Sequence, residues 1–266
     1  MGPVATRTAV LANGLRLPYA ETGDPAGEPV VLVHAYVESW RYFAEVLAHL
    51  PQHLHGIAPT QRGHGGAGRP EHGYLPGDFA DDLVAFLDAL AIDRAVLVGT
   101  SSGGLVSQLV ASTHPERVSA LVLVSSPAHL GDKEAVRAML ADVSTLEDPI
   151  DRGFVEEFVR STSPATVPDE LVAAWVDESL QVPARVWRDV LRGLVDTDVR
   201  PHLADIAAPT LLVVGDEDPF VRADQRVLLD AIPDARLVVH EGVGHGVHMA
   251  QPGGVVTDIT DFLAAL

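Results

Sequence analysis

The chain has 266 residues, of which 47% are hydrophobic, and a formal net charge of −19 at pH 7. This length suits one large α/β domain with a substantial core. The acidic balance argues against a nucleic-acid partner, because phosphate binding needs a basic face. The lack of cysteine excludes disulfides, a cysteine nucleophile and a thiolate metal site.

The negative charge has two interpretations: it keeps the protein soluble, or it favours neutral or cationic ligands. The first residues contain no apolar stretch of signal-peptide length. No segment approaches the ~18–20 apolar residues of a membrane span. We therefore expect a cytoplasmic protein without a membrane partner, and the sequence leaves its oligomeric state open.

The predicted elements begin with a hairpin and continue as alternating strands and helices. Residues 8–11 and 15–19 flank Asn13-Gly14, a pair typical of a hairpin turn. Hydrophobic patterns then predict strand 30–33, helix 39–50, strand 54–58, helix 78–90 and strands 96–98, 118–124, 210–215 and 236–240. This alternation predicts a mostly parallel, doubly wound sheet with helices on both faces.

The alternation stops between residues 130 and 208. Apolar residues recur there at helical spacing, as in the pairs Phe154/Phe158 and Leu171/Trp175. Four prolines between residues 149 and 183 divide the stretch into about four helices. A doubly wound sheet needs only one crossover helix at this place. The additional helices either cover a site or only enlarge the core, and both alternatives stay open.

Residues 99–103 read Gly-Thr-Ser-Ser-Gly, which is the pattern G-x-S-x-G with Ser101 at its centre. The apolar run 95–98 precedes this pattern, and apolar residues at helical spacing follow it. A serine between a buried strand and a helix, with glycines that leave room for the backbone, is typical of a nucleophile elbow. Ser102 could be the nucleophile only after a one-residue shift, and Thr100 would then replace the first glycine.

An acid and a base follow Ser101 along the chain. Asp218 comes shortly after strand 210–215, and His245 follows strand 236–240. In a catalytic triad the histidine takes the serine proton and later gives it to the leaving group. The aspartate orients the imidazole and stabilises its charged form. The order serine, aspartate, histidine is that of α/β hydrolases.

On these residues the chain resembles the α/β-hydrolase superfamily over nearly its whole length, and most of all its small bacterial esterases, lactonases and cofactor-free haloperoxidases (perhydrolases). Further matching segments are residues 30–34, 62–65, 244–245 and 251–252. The resemblance implies an α/β-hydrolase fold, in which a helical cap is inserted between the core strands of a mostly parallel, doubly wound sheet. It divides the chain into residues 1–130 (first part of the core), 131–208 (cap) and 209–266 (second part of the core).

The resemblance also implies roles for single residues. It favours Asp218 over Asp216, because the family generally places its acid three residues after the glycine that ends the strand. The backbone N–H groups of Ser102 and Tyr36 would form the oxyanion hole, although Ala35 stands where glycine is usual.

A metal site is not expected, although the chain has twelve histidines. No H-E-x-x-H or comparable ligand spacing exists, and the pair His245 and His248 has no carboxylate nearby in the sequence. We expect no cofactor either.

Five aromatic residues are candidates for lining a substrate pocket. Packing within the cap explains the four of them that lie in that segment equally well. The candidates are Tyr36, Phe154, Phe158, Trp175 and Trp187.

These observations predict a serine hydrolase that cleaves a small carboxylic ester or lactone through an acyl-enzyme intermediate. An aspartate at the elbow would have indicated epoxide hydrolase or dehalogenase chemistry. Three alternatives stay open: a carbon–carbon bond hydrolase, a perhydrolase in which peroxide replaces water, and a ligand-binding signalling protein with slow turnover. The glycine-rich oxyanion loop of resembling carbon–carbon hydrolases does not match residues 34–37, His-Ala-Tyr-Val.

Overall fold

Eight strands form one sheet in the computed structural model of the chain, which describes residues 4–266. In chain order they are β1 (Ala5–Val10), β2 (Arg16–Gly23), β3 (Glu28–Val33), β4 (Leu54–Pro59), β5 (Ala95–Thr100), β6 (Val118–Val124), β7 (Thr210–Gly215) and β8 (Ala235–His240). Their order across the sheet is β1-β2-β4-β3-β5-β6-β7-β8. The pairs β1/β2 and β2/β4 are antiparallel, and all the others are parallel.

The first two strands form the predicted hairpin. Their register ends at the pair Val10 and Arg16. In the turn, the side-chain oxygen of Asn13 accepts a hydrogen bond from the N–H of Leu15 at 2.9 Å. Gly14 has a φ of 82°, a left-handed conformation that glycine adopts without steric conflict.

The central strands are buried on both faces of the sheet. Every residue of β5 and β7 is buried. Because side chains alternate along a strand, Leu97 joins the core on one face, while Val96 and Val98 join the core on the other. This two-sided burial explains why these strands appear as continuous apolar runs in the sequence.

Helices cover both faces, as the sequence predicts. Within residues 4–266 the α-helices are α1 (Ala44–His49), α2 (Pro76–Ala89), α3 (Ser102–Thr113), α4 (Glu134–Val143), α5 (Arg152–Thr162), α6 (Asp169–Ser179), α7 (Ala184–Asp196), α8 (Asp224–Ala231), α9 (Val247–Ala250) and α10 (Pro252–Ala264). Helices α2 and α3 pack on the face that carries Leu97, and α1 and α10 on the face that carries Val96. Among the helices of the described residues, none has the length and apolar character needed to cross a membrane.

Helices α4 to α7 lie between β6 and β7, where the sequence predicts about four helices. Helix α4 packs against α7, and α5 packs against α6. Two hydrogen bonds join the start of this segment to Asp224 at the beginning of α8. Lys133 Nζ donates to Oδ1 of Asp224 at 2.7 Å, and the N–H of Ala128 donates to Oδ2 at 2.9 Å.

Close backbone packing surrounds the turn between β5 and α3. A Cβ atom at Gly103 would overlap the carbonyl oxygens of Val33 and His34 at the end of β3. A Cβ atom at Gly99 would lie 2.6 Å from both the carbonyl oxygen of Gly103 and the Cα of Gly104. Because Gly99 and Gly103 have no side chains, the start of α3 packs directly against the backbone of β5 and of the end of β3.

We expect Gly103→Ala to lower the free energy of unfolding by about 3 kcal/mol, because the added methyl group can be accommodated only by moving backbone. Urea denaturation measures this change. Gly77→Ala is the matched control, since a Cβ atom there meets nothing within 4 Å. Its free energy of unfolding should stay the same or rise by about 0.5–1 kcal/mol. Equal effects of the two substitutions would contradict the close packing.

Candidate active site

Ser101 lies at the tip of the turn between β5 and α3. Its φ of 46° and ψ of −119° are a left-handed backbone conformation that side chains rarely adopt. The N–H of Ser101 donates to the carbonyl oxygen of Val124 at 2.9 Å, and the N–H of Gly104 donates to the carbonyl oxygen of Ser101 at 2.9 Å. The turn thus presents the serine hydroxyl at the carboxyl ends of the parallel strands, where ligands bind in open α/β sheets.

The structure brings Ser101, His245 and Asp218 into one chain of hydrogen bonds. Nε2 of His245 lies 3.0 Å from Oγ of Ser101. Nδ1 of the same ring lies 2.8 Å from Oδ2 of Asp218, whose side chain is fully buried. With the proton on Nδ1 donated to the carboxylate, Nε2 is free to accept the proton of the serine hydroxyl.

Asp218 is held as a carboxylate by several donors. Its Oδ1 accepts hydrogen bonds from the N–H groups of Phe220 at 2.8 Å and Val221 at 3.2 Å. Burial raises the pKa of Asp218, but the hydrogen bond and charge of His245 and the two backbone bonds outweigh it, so the pKa is lower than its ordinary value.

The neighbouring Asp216 has a different position. Its Oδ1 accepts a hydrogen bond from the N–H of Gly242 at 2.7 Å, which ties the loop after β7 to the loop after β8. Of the two aspartates that the sequence offers, it is Asp218 whose carboxylate meets His245.

Ser102 and Tyr36 belong to two different segments near Ser101. Ser102 is the first residue of α3, so its N–H is one of those that a helix leaves without an intrahelical acceptor. Tyr36 lies in the loop after β3 and lines the same cavity as Ser101. Both backbone N–H groups stay predicted oxyanion donors.

Hydrogen bonds hold the loop after β3, residues 34–38, in a strained conformation. Val37 has a φ of 56°, which is rare for a β-branched residue. Its carbonyl oxygen accepts a hydrogen bond from Ser179 Oγ at 2.9 Å, and the hydroxyl of Tyr36 donates to the carbonyl oxygen of Trp187 at 2.8 Å. Helices α6 and α7 therefore hold this loop directly.

Glu38 and His34 belong to the loop after β3 and stabilise it with their own side chains. Oε2 of Glu38 accepts a hydrogen bond from the N–H of Ala35 at 2.9 Å. Burial raises the pKa of Glu38 to about 8, although this hydrogen bond lowers it. Nε2 of His34 accepts from the N–H of Gln61 at 2.9 Å, so its Nδ1 carries the proton and donates to the carbonyl oxygen of Ala35 at 2.8 Å.

Two cavities border the hydrogen-bonded chain of Ser101, His245 and Asp218. The inner cavity has a volume of about 50 Å³, and Tyr36, Ser101, Phe158 and His245 are among its lining residues. A larger outer cleft of about 460 Å³ also borders His245. The cleft is lined by residues 161–166, which form the end of α5 and the segment after it, by Phe220 and by the loop before α9.

The predicted aromatic residues separate into two groups. Tyr36 and Phe158 line the inner cavity, with their rings edge to face at 5.7 Å. Phe154, Trp175 and Trp187 do not line it, contrary to the expectation for a substrate pocket. Trp175 stacks on Tyr42 at 4.4 Å, and Phe154 packs against the fully buried Trp187. These three side chains are therefore packing residues behind the cavity wall.

Several residues that the sequence did not indicate also line the inner cavity, among them the polar residues Glu38, Thr100, Ser125 and His248. Burial, together with the charge of His245, lowers the pKa of His248 to about 3. Thr100 stands in the motif at residues 99–103, but at a position where the pattern requires no particular residue, and no motif includes Glu38, Ser125 or His248. The one available signal is position, because Thr100 and Ser125 stand at the carboxyl ends of adjacent predicted strands.

Comparison with known proteins identifies the family. The sequence profile of the alpha/beta hydrolase fold matches residues 28–252, and the chain belongs to this family. It is 32% identical over 276 residues to 2-hydroxy-6-oxo-2,4-heptadienoate hydrolase from Pseudomonas putida, covering 96% of this chain and 95% of the relative. It is 27% identical over 253 residues to 3-oxoadipate enol-lactonase 2 from Acinetobacter baylyi, covering 92% of each.

Among solved structures, an esterase from Rhodococcus sp. superposes with a TM-score of 0.85 at 27% identity, over 98% of this chain and 99% of the other. The comparisons confirm the predicted fold and superfamily, and they identify the chain as an enzyme.

We expect a serine-directed fluorophosphonate to label Ser101, because His245 activates its hydroxyl. Ser101→Ala should abolish labelling, and Ser102→Ala should leave it within about tenfold of wild type because alanine retains the backbone N–H. Intact mass and peptide mapping measure the result. Asp218→Asn should slow labelling far more than the matched Asp216→Asn. Labelling that survives Ser101→Ala but not Ser102→Ala would contradict this assignment.

We also expect the free energy of unfolding to fall as the pH drops below about 6.5. Burial lowers the pKa values of His34, His64 and His248, to about 4 for His64 and about 3 for His248. The unfolded chain therefore binds protons in this range that the folded protein does not bind.

His248→Phe should reduce the slope of unfolding free energy against pH between pH 6 and 5 by about 1 kcal/mol per pH unit. Urea denaturation at each pH measures it. The control is His72→Phe, since the side chain of His72 is exposed. Equal slopes in wild type and His248→Phe would be inconsistent with a buried neutral His248.

Proposed function

We propose that the protein is a serine hydrolase that cleaves a carboxylic ester or lactone through an acyl-enzyme intermediate. The observation that carries the proposal is the hydrogen-bonded chain of Ser101, His245 and Asp218. Oγ of the serine lies 3.0 Å from Nε2 of the histidine, and Nδ1 of the histidine lies 2.8 Å from Oδ2 of the aspartate. Both distances are within the range needed for proton transfer and for orienting the base.

In the proposed mechanism Oγ of Ser101 attacks the substrate carbonyl carbon while Nε2 of His245 takes the hydroxyl proton. The N–H groups of Ser102 and Tyr36 stabilise the negative charge on the carbonyl oxygen. The tetrahedral intermediate collapses, and His245 protonates the departing oxygen. Water then attacks the acyl-enzyme with His245 again as base, which releases the carboxylic acid and restores Ser101. Asp218 stabilises the imidazolium and remains ionised throughout.

The two cavities support a substrate with a short acyl group. The inner cavity, next to Ser101, has about 50 Å³, whereas the outer cleft beside His245 has about 460 Å³. The leaving group must pass His245 to receive its proton, so we assign the outer cleft to the alcohol side. Within the predicted cap, residues 131–208, helix α5 covers the inner cavity with Phe158 and Thr162, and α6 and α7 support the loop after β3, which contributes Tyr36 to the cavity wall.

A carbon–carbon bond hydrolase is the second candidate. It is favoured by the 32% identity to 2-hydroxy-6-oxo-2,4-heptadienoate hydrolase. The same serine, histidine and aspartate would serve that reaction. Against it stands Ala35 followed by Tyr36 and Val37, where resembling carbon–carbon hydrolases have a glycine-rich loop.

We expect sustained hydrolysis of p-nitrophenyl acetate and butyrate, with a steep loss of kcat/KM for the octanoate because of the small inner cavity. Ser101→Ala should lower kcat by a factor on the order of 10³–10⁶. Release of p-nitrophenol in a single stoichiometric burst would instead indicate a ligand-binding protein with slow turnover. Turnover of 2-hydroxy-6-oxo-2,4-heptadienoate with a higher kcat/KM than any ester would favour the second candidate.

A further inference from the structure

Three buried polar side chains border the inner cavity without a hydrogen-bond partner among residues 4–266. The atoms are Oγ1 of Thr100, Oγ of Ser125 and both ring nitrogens of His248. The three residues are 1%, 2% and 5% exposed. A buried polar atom without a partner destabilises a fold, and most such atoms in native proteins are satisfied. Four of them around one cavity point to a ligand that completes their hydrogen bonds.

These side chains converge on the cavity from three separate segments. Thr100 ends β5, Ser125 directly follows β6, and His248 lies in α9. All three line the cavity that Ser101 also lines. Ser125 has a φ of 46°, a strained conformation of the kind that proteins retain mostly at functional sites. The arrangement is therefore built from distant parts of the chain and is not a by-product of one loop.

The cavity offers hydrogen bonds but no positive charge to a ligand. None of the residues that line it, all within the described part of the chain, is an arginine or lysine. Near pH 7 His248 is a neutral imidazole with one donor and one acceptor, because burial lowers its pKa to about 3. Glu38 is largely protonated at this pH, because burial raises its pKa to about 8. A carboxylate entering the cavity would lose its hydration without gaining an ion pair.

We propose that Thr100, Ser125 and His248 form a polar acyl subsite, which binds a short acyl group that carries an uncharged hydrogen-bonding substituent such as an ether, hydroxyl or ketone oxygen. This inference rests on the proposed ester hydrolysis and names the acyl half of its substrate. The volume of about 50 Å³ limits that acyl group to a few non-hydrogen atoms. One relative, from Mesorhizobium japonicum, is named 2-(acetamidomethylene)succinate hydrolase. Succinate is a dicarboxylate, whereas the acyl group proposed here carries no charge.

The test compares p-nitrophenyl methoxyacetate with p-nitrophenyl butyrate, whose acyl groups differ by one ether oxygen in place of a methylene group. Each kcat/KM is divided by the rate constant of hydroxide-catalysed hydrolysis, which removes the difference in intrinsic reactivity. The wild-type enzyme should then prefer methoxyacetate by about tenfold or more, as expected for one or two added hydrogen bonds. The p-nitrophenyl monoester of succinate should be cleaved at least tenfold less efficiently than the butyrate.

Three variants test whether the preference for methoxyacetate arises at the proposed subsite: Ser125→Ala, Thr100→Val and His248→Phe. At least one of them should reduce the corrected ratio by about threefold to tenfold. Ser119→Ala is the matched control, because Oγ of Ser119 is likewise buried without a partner among residues 4–266 but does not line the cavity. This control should keep the wild-type ratio. Melting temperatures verify that each variant is folded, and three independent substitutions keep the test decisive if one is not.

Each outcome has a distinct meaning. A corrected wild-type ratio near one, or a ratio that all three variants leave unchanged, overturns the polar acyl subsite while ester hydrolysis stands. Preference for the succinate monoester overturns the uncharged character of the subsite. Failure to cleave any of the three esters overturns the proposed function, and the subsite with it.

Discussion

Gly103 brings the start of α3 against the end of β3, and a side chain at this position would overlap the carbonyl oxygens of Val33 and His34. This approach of backbone to backbone is the constraint on which the site depends. It brings the start of α3, with Ser102, next to the loop that carries Tyr36, and the N–H groups of these two residues are the proposed oxyanion donors. It also leaves Ser101 on a turn too tight for an ordinary backbone conformation.

Strain at Ser101 is matched by strain at two neighbouring positions. Val37 and Ser125 also have positive φ values, of 56° and 46°. Each of the three residues stands where a strand of the central sheet has ended, and each is fixed by a hydrogen bond to a neighbouring segment. Such conformations persist only where contacts with the surrounding structure hold the backbone in place. Strands β5 and β7, which are buried at every residue, and the nearly fully buried β6 provide a support of this kind, and they keep the site in place before a substrate arrives.

Much of the fold was predictable because its signals are local. The apolar run before Ser101, the glycines around it and the Asn13-Gly14 turn each follow from backbone sterics within a few residues. The meeting of Asp218 with His245 was predicted from chain order together with the resemblance to α/β hydrolases, which favoured Asp218 over Asp216. Residues whose role depends on packing were not: Trp175 and Phe158 share the same helical periodicity, yet only Phe158 reaches the cavity. His248 and Ser125 carry no motif, because their importance arises from the lack of partners in the folded protein.

The hydrogen bonds from Tyr36 to Trp187 and from Ser179 to Val37 join the loop after β3 to helices α7 and α6. The same loop carries a backbone N–H that we assign to the reaction. A displacement of these helices, whether to admit a substrate or to release a product, would therefore also move the backbone that we propose as an oxyanion donor. Substrate admission and bond cleavage are not independent properties in this architecture. Remodelling α6 or α7 to accept a new substrate will alter the rate of the chemical step as well, even when no residue that touches the reacting atoms has changed.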